Sequence, residues 1–102
     1  MKENIYSIKN GTGKGYDDEG NIIYAINEGN GNMITFHNNG KISFEGNITK
    51  GEKNGKGKEY DEDGHIIFEG EYKDDIKWNG IRKDYSDDKL LFEAEIKDSK
   101  II

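Results

Sequence analysis

The chain has 102 residues, of which 35% are charged and only 31% hydrophobic, and its formal net charge is −6. This composition argues against a deep central core, but regularly placed aromatic residues, 11% of the chain, favour a thin folded structure over disorder. The absence of cysteine excludes disulfides, thiolate metal sites and a cysteine nucleophile. The negative charge disfavours duplex nucleic acid and anionic membranes as partners and favours a basic partner.

The N-terminal segment 1–9 contains Ile5, Tyr6 and Ile8 and is predicted to form an edge strand. It has no apolar run of signal-peptide length, and the chain has no stretch of about 18 apolar residues. We therefore expect a cytoplasmic protein.

From residue 10 onward the sequence repeats. An Asn-Gly pair with an aromatic residue five positions after the Gly occurs at Asn10-Gly11 with Tyr16, Asn30-Gly31 with Phe36, Asn54-Gly55 with Tyr60, and Asn79-Gly80 with Tyr85. The asparagines are 20, 24 and 25 residues apart, a period typical of stacked repeats. The chain is thus predicted to be a single repeat domain, 1–102, with units at approximately 10–29, 30–53, 54–78 and 79–96.

The third unit is the clearest. Asp63-Gly64 lies between alternating apolar residues and predicts a hairpin loop with Gly64 in the left-handed conformation, so that Tyr60 faces Ile66. Asn54-Gly55 is predicted to form the turn between units. This register places Tyr60, Phe68 and Tyr72 on one face and Glu59 on the opposite, solvated face.

The other units repeat this arrangement with small changes. The fourth lacks one residue between Tyr85 and Phe92, which predicts a two-residue loop and keeps both aromatic residues aligned. The segment 97–102 is predicted to finish the sheet as a strand end or a frayed cap. The aromatic residues are expected to pack the sheet rather than line a groove for a peptide or for bases.

The pattern Gly-x-Gly-x-x-Tyr-x-x-x-Gly-x-x-x-Phe-x-Gly-x-Tyr from Gly55 to Tyr72 resembles the MORN repeat and is most similar to its bacterial variants. The second unit keeps part of the pattern at Gly31, Phe36, Gly40, Phe44 and Gly46. The resemblance implies an all-β fold, an elongated single-layer twisted antiparallel sheet of about four stacked β-hairpins. It also implies a non-enzymatic interaction protein: small bacterial variants are associated with antitoxin or immunity roles, and some arrays with membrane or phosphoinositide contact.

Several apparent motifs are better explained by the repeat itself. Glu59-x-Asp61-x-Asp63-Gly64 is similar to a calcium loop, but Gly70 stands in the place of the closing Glu. The glycine-rich stretches 11–15 and 55–58 open no helix and lack P-loop spacing, which disfavours phosphate binding. His37 and His65 occupy different places in their units and have no Cys or third His beside them. We therefore expect no metal site and no cofactor.

Catalysis is not expected either, because nearly all the carboxylates fall on turns or on the solvated face, where nothing would raise a pKa. Candidate binding residues lie at the surface instead. Trp78 falls outside the repeating aromatic pattern and is a candidate contact anchor or a cap of the sheet. Lys50, Lys53, Lys56 and Lys58 form the densest basic stretch and are the candidates for membrane or phosphoinositide contact.

The favoured partner is a protein, with a basic toxin domain as the specific expectation, bound by charge complementarity and steric occlusion. The alternative is a MORN scaffold module that associates with a membrane. Whether edge strands pair into a dimer is left open by the sequence.

Overall fold

The computed structural model describes residues 12–102, and the predicted strand at 1–9 lies outside the described residues. Within 12–102 the chain forms one antiparallel sheet in which every strand pairs with the next strand along the chain. The nine strands of this part are β1 Gly13–Tyr16, β2 Ile22–Asn27, β3 Asn30–Phe36, β4 Ile42–Thr49, β5 Glu52–Tyr60, β6 Ile66–Lys73, β7 Ile76–Ser86, β8 Lys89–Lys97 and β9 Lys100–Ile101. The predicted all-β fold, a single layer of consecutive hairpins, is confirmed. The same residues contain no helix that could cross a bilayer.

The turns lie along two opposite edges, because antiparallel strands reverse direction at alternate ends. One edge carries the turns 17–21, 37–41, 61–65 and 87–88, and we call it the acidic edge for the composition described below. The opposite edge carries the two-residue turns 28–29, 50–51, 74–75 and 98–99. The loops predicted for the acidic edge are confirmed: Gly64 has φ +94°, Tyr60 pairs with Ile66, and residues 87–88 form the short fourth loop.

The prediction that Asn-Gly pairs form the turns between units is wrong. The pairs at 30–31, 54–55 and 79–80 lie inside β3, β5 and β7. The turns between units fall earlier, at pairs such as Asp74-Asp75, whose φ angles of 50° and 69° are the two positive values that a type I′ turn needs. Gly31 allows close approach of strands instead, since a Cβ there would collide with the carbonyl oxygen of Ala25.

The asparagines of two of these pairs connect neighbouring turns of the opposite edge. Asn30 Oδ1 accepts a hydrogen bond from the backbone N–H of Lys50 at 3.1 Å, and Asn79 Oδ1 accepts one from Asp98 at 3.0 Å. Each bonded N–H belongs to a residue with positive φ in a tight turn. The Asn side chain therefore stabilises the strained turn that follows the next strand of the sheet.

A β-bulge recurs in every unit and changes the faces that the sequence predicts. In the third unit Glu59 pairs with Phe68, but the next residue, Tyr60, pairs with Ile66, so that Ile67 is an extra residue. The first aromatic residue of each unit therefore points away from the second. The first aromatic residues are Tyr16, Phe36, Tyr60 and Tyr85, and the second are Tyr24, Phe44, Phe68 and Phe92, with the extra residue at Ile23, Ser43, Ile67 and Leu91.

The prediction of one shared aromatic face is consequently wrong, and so is the placement of Glu59. We call the face of the second aromatic residues the inner face and the face of the first ones the outer face. Glu59 lies on the inner face beside its partner Phe68. The physical reason is that one inserted residue reverses the alternation of side chains, and composition alone does not locate the insertion.

The inner face holds the small core. A row of glycines, Gly46, Gly57, Gly70 and Gly80, crosses four neighbouring strands in register. A Cβ on Gly57 would lie 2.9 Å from ring carbons of both Phe44 and Tyr72, so these rings rest directly on the backbone. A single layer can thereby bury a side chain as large as Phe68, which is 0% exposed. The buried hydrophobic residues of the described chain are Ile26, Met33, Phe44, Ile48, Phe68, Tyr72 and Ile96.

Candidate functional site

The acidic edge collects much of the negative charge of the molecule. When each turn is counted with the two residues that flank it, this edge holds eight carboxylates and two lysines, whereas the opposite edge holds five carboxylates and four lysines. Neighbouring turns on one edge are two strands, about 9.6 Å, apart, which is close to the Debye length of about 8 Å at physiological ionic strength. The potentials of the adjacent acidic turns 61–65 and 87–88 therefore overlap. The eight carboxylates are Asp17, Asp18, Glu19, Asp61, Glu62, Asp63, Asp87 and Asp88.

Two of these carboxylates have a structural task within their own turn. Asp61 Oδ1 accepts hydrogen bonds from the backbone N–H groups of Asp63 at 3.0 Å and His65 at 2.9 Å. Asp17 makes the same two contacts with Glu19 and Asn21, both at 2.9 Å. Asp61, Asp63 and His65 do lie close enough together to hold an ion. Because Asp17 repeats the Asp61 contacts in a turn without a histidine, turn capping accounts for this cluster.

His65 connects the third unit to the fourth. Its Nδ1 lies 3.0 Å from Asp61 Oδ2, its Nε2 lies 2.9 Å from Asp88 Oδ1, and its ring stacks on Tyr85 with the centroids 4.3 Å apart. The hydrogen bond with Asp61, together with the charges of Asp61, Asp88 and Asp63, raises the pKa of His65 above its usual value. The acidic edge is therefore held together partly by a histidine between two carboxylates.

A second polar cluster lies on the inner face, and the sequence analysis missed it. The Glu59 carboxylate accepts a hydrogen bond from the Tyr72 hydroxyl at 2.8 Å and lies 3.5 Å from Lys53 Nζ and 3.4 Å from Lys77 Nζ. Burial alone would raise the pKa of Glu59, but the Tyr72 hydroxyl and the two ammonium groups hold it below its usual value. The sequence analysis missed this cluster because it did not predict the bulge at Ile67, which places Glu59 on the inner face.

The outer face presents the first aromatic residues directly beside the acidic edge. Tyr16 is 57% exposed and Phe36 is 44% exposed. Tyr60 is half-buried and its hydroxyl donates a hydrogen bond to Glu45, which raises the pKa of Tyr60 to about 12. The outer face thus combines exposed aromatic rings with a negatively charged border.

Comparison with known protein families agrees with this repeating geometry. Residues 30–49 and 53–74 each match the family model described as the MORN repeat variant. Two hairpins of the sheet therefore match the MORN repeat. The two matches span β3–β4 and β5–β6, so each corresponds to one hairpin of the sheet. No curated protein and no solved structure matches the chain in the corresponding searches.

The two matched hairpins indicate the general class of function. MORN repeats are non-catalytic modules, and they generally mediate interactions between proteins. The chain is therefore a repeat-containing binding module.

The four lysines singled out from the sequence do not form one patch on this MORN array. Lys53 lies on the inner face against Glu59, with its Nζ 4.5 Å from the centroid of the Phe44 ring. Lys56 and Lys58 lie on the outer face, where Lys58 Nζ is 3.8 Å from Glu69. Lys50 occupies a turn of the opposite edge. Their role in binding stays a prediction.

Trp78 lies in β7 near the opposite edge and is half-buried. Lys73 Nζ lies 4.6 Å from the centroid of the Trp78 ring. The backbone carbonyl of Trp78 accepts a hydrogen bond from the backbone N–H of Ser99 at 2.9 Å. The chain thus already supplies a cation to this ring. The role of Trp78 as a contact anchor also stays a prediction.

A shallow groove of about 590 Å³ crosses the outer face along the glycine row. Glu45, Glu69 and Glu71 line it together with Lys56 and Lys58. Opposite charges alternate along its walls, and Lys58 already pairs with Glu69. The groove therefore has no marked preference for a ligand of one charge.

Proposed function

We propose that this MORN-repeat chain binds a basic protein partner through its acidic edge, and that it serves as a bacterial immunity or antitoxin-type factor that occludes a toxin domain. The observation that supports this most directly is the uneven charge of the two edges. A row of turns carrying eight carboxylates and two lysines attracts a positively charged surface and speeds its association. The membrane alternative gains no support, since Lys50, Lys53, Lys56 and Lys58 are spread over several surfaces.

The experiment is capture of partners from native extract with mass spectrometry, using two matched variants. Glu19→Gln with Glu62→Gln removes two charges from the acidic edge, and Glu28→Gln with Glu52→Gln removes two at the opposite edge. We expect a basic partner whose capture is lost with the first variant and kept with the second. Co-expression should then relieve any toxicity of the captured protein.

Two results would contradict this function. One is repeated recovery of no protein partner at low ionic strength, where an electrostatic complex is strongest. The other is a partner whose affinity changes equally with both double variants, because such a partner would respond to net charge alone.

A further inference from the structure

The outer face beside the acidic edge is an unpartnered sheet face that carries one aromatic residue per unit. The bulges aim Tyr16, Phe36, Tyr60 and Tyr85 to this face. Phe36 precedes the turn 37–41, which contains no carboxylate, and the acidic turns 17–21 and 61–65 flank it, one on each side. An exposed ring therefore lies between two clusters of negative charge.

Among the described residues, five of the six other aromatic rings have a Lys or Arg of this chain over them, and Tyr24 is the exception. Within residues 12–102, a Lys or Arg lies over the rings of Phe44, Phe68, Tyr72, Trp78 and Phe92, at 4.5 to 5.7 Å from the centroid. None of these five rings belongs to a first aromatic residue. In the described part of the chain, no Lys or Arg thus lies over the rings that border the acidic edge, although the His65 ring stacks on Tyr85.

An aromatic ring that has no Lys or Arg over it and lies beside an excess of carboxylates can bind a cationic side chain of another protein. The face of an aromatic ring attracts ammonium and guanidinium groups, and the surrounding carboxylates raise the local concentration of such groups. Arg suits this position better than Lys, because its planar guanidinium stacks on a ring and bonds a carboxylate at the same time.

We propose, resting on the proposed function, that this face binds an extended Arg- or Lys-rich segment of the partner that runs across the strands along the acidic edge. Phe36 and Tyr60 occupy the same register level, two strands or about 9.6 Å apart. A segment in the extended polyproline II conformation rises about 3.1 Å per residue and turns once in three residues, so side chains three positions apart lie about 9.3 Å apart on the same side. A segment with a basic residue at every third position therefore places one cation near each unit.

The test uses the whole protein and three synthetic 12-residue peptides. The first has Arg at every third position among Gly and Ser, the second has the same composition with its four Arg consecutive, and the third has neutral citrulline in place of Arg. We expect the first to bind at least threefold more tightly than the second in fluorescence anisotropy, and the third not to bind. Equal affinity of the two Arg peptides would overturn the proposed spacing.

Variants of Phe36 distinguish a cation–π contact with its ring from electrostatic attraction by the carboxylates. Phe36→Leu keeps the apolar bulk but removes the π face, so we expect binding of the first peptide to weaken about threefold, whereas Phe36→Trp should tighten it. Phe92→Leu is the matched control, because Phe92 is similarly exposed but lies on the inner face under Arg82. Circular dichroism checks that all variants fold.

The outcome also separates this inference from the function on which it rests. If the captured partner depends on the charges of the acidic edge but binds Phe36→Leu as well as wild type, the function stands and the role of the aromatic face is refuted. If neither the acidic-edge variant nor Phe36→Leu weakens binding of the partner, the proposed function and the role of the aromatic face are both refuted. If each variant weakens binding, the function and the role of the aromatic face are both supported.

Discussion

At the scale of single residues, the fold depends on positions where a side chain is absent. The glycine row lets the rings of Phe44 and Tyr72 lie on bare backbone, and this contact substitutes for a second layer. A Cβ on Gly46 would lie 2.6 Å from both Gly57 Cα and the carbonyl oxygen of Lys56. Backbone atoms cannot move aside as a flexible side chain can, so the strands themselves would have to separate.

We expect Gly46→Ala to destabilise the protein by about 1–3 kcal/mol through this overpacking. The measurement is the urea midpoint and slope of unfolding. Gly13→Ala is the matched control, since Gly13 also lies in a strand but its Cβ would meet nothing within 4 Å. The control should change stability by no more than about 0.5 kcal/mol, and an equal loss in both variants would show that strand separation is not the cause.

His65 makes part of the stability depend on pH. Its pKa is raised in the folded protein, so its contribution is fully present below the unfolded value of about 6.5 and is lost as pH rises through the folded value. We expect the free energy of unfolding of wild type, minus that of His65→Phe, to decrease as pH rises from about 6.5 through the folded pKa. Phe keeps a ring to stack on Tyr85 but cannot bond Asp61 or Asp88.

Urea titrations at intervals between about pH 5.5 and 8.5 would measure this difference. The range keeps Asp61 ionised, because the pKa of Asp61 is held below its usual value by the hydrogen bonds from His65. A constant difference across the range would mean that the histidine contacts do not depend on its charge.

At the scale of elements, the sequence predicts the strands and hairpin loops well because these depend on local signals. Alternating apolar residues and a glycine with positive φ, as at Gly64, specify a hairpin wherever they occur. The faces of the first aromatic residues could not be predicted in the same way. They depend on whether Ile67 and its equivalents are paired or bulged, and an apolar residue fits either arrangement.

The turns between units carried a misleading signal. Asn-Gly is the strongest two-residue hairpin motif, yet here Asn30 and Asn79 lie in strands and hydrogen-bond to the turn that follows the next strand. The real turns include Asp74-Asp75 and Asp98-Ser99, which place non-glycine residues at positive φ. The hydrogen bonds that these two asparagines make to neighbouring turns therefore outweigh the local preference of Asn-Gly for a turn. The candidate acidic edge was likewise only half predicted: its acids are visible in the sequence, but the alignment of their turns requires the fold.

Lys50 has φ +52° as the first residue of the turn Lys50-Gly51. Asn adopts this left-handed conformation more readily than Lys, so Lys50→Asn should stabilise the protein by about 0.5–1 kcal/mol. Thermal unfolding would measure the change, with Glu52→Asn as the control at an exposed strand position next to the same turn. We expect the control to be neutral or destabilising. A stabilisation of similar size in both variants would contradict this prediction, because it would follow the introduced Asn and not the positive φ of Lys50.

At the scale of the whole molecule, the charge that favours a basic partner also opposes folding. The eight carboxylates of the acidic edge repel one another, most strongly between the adjacent turns 61–65 and 87–88, and salt screens this repulsion. We expect the melting temperature to rise with sodium chloride between about 0.02 and 0.3 M. The variant with Glu19→Gln and Glu62→Gln should melt higher at low salt and show a weaker dependence.

The variant with Glu28→Gln and Glu52→Gln changes the net charge by the same amount at the opposite edge, where lysines are more numerous. Its salt dependence should remain close to that of wild type. If both double variants flatten the salt dependence equally, the repulsion belongs to the net charge and not to the acidic edge.

The order of the strands has a consequence for how the protein reaches this structure. Each strand pairs only with its neighbours along the chain, so each hairpin can close without waiting for a distant segment. Folding rates rise as contacts become more local, and repeat arrays extend from whichever unit forms first. We expect the hairpins to form and pair one after another along the chain, even while the rest of the chain is still being synthesised.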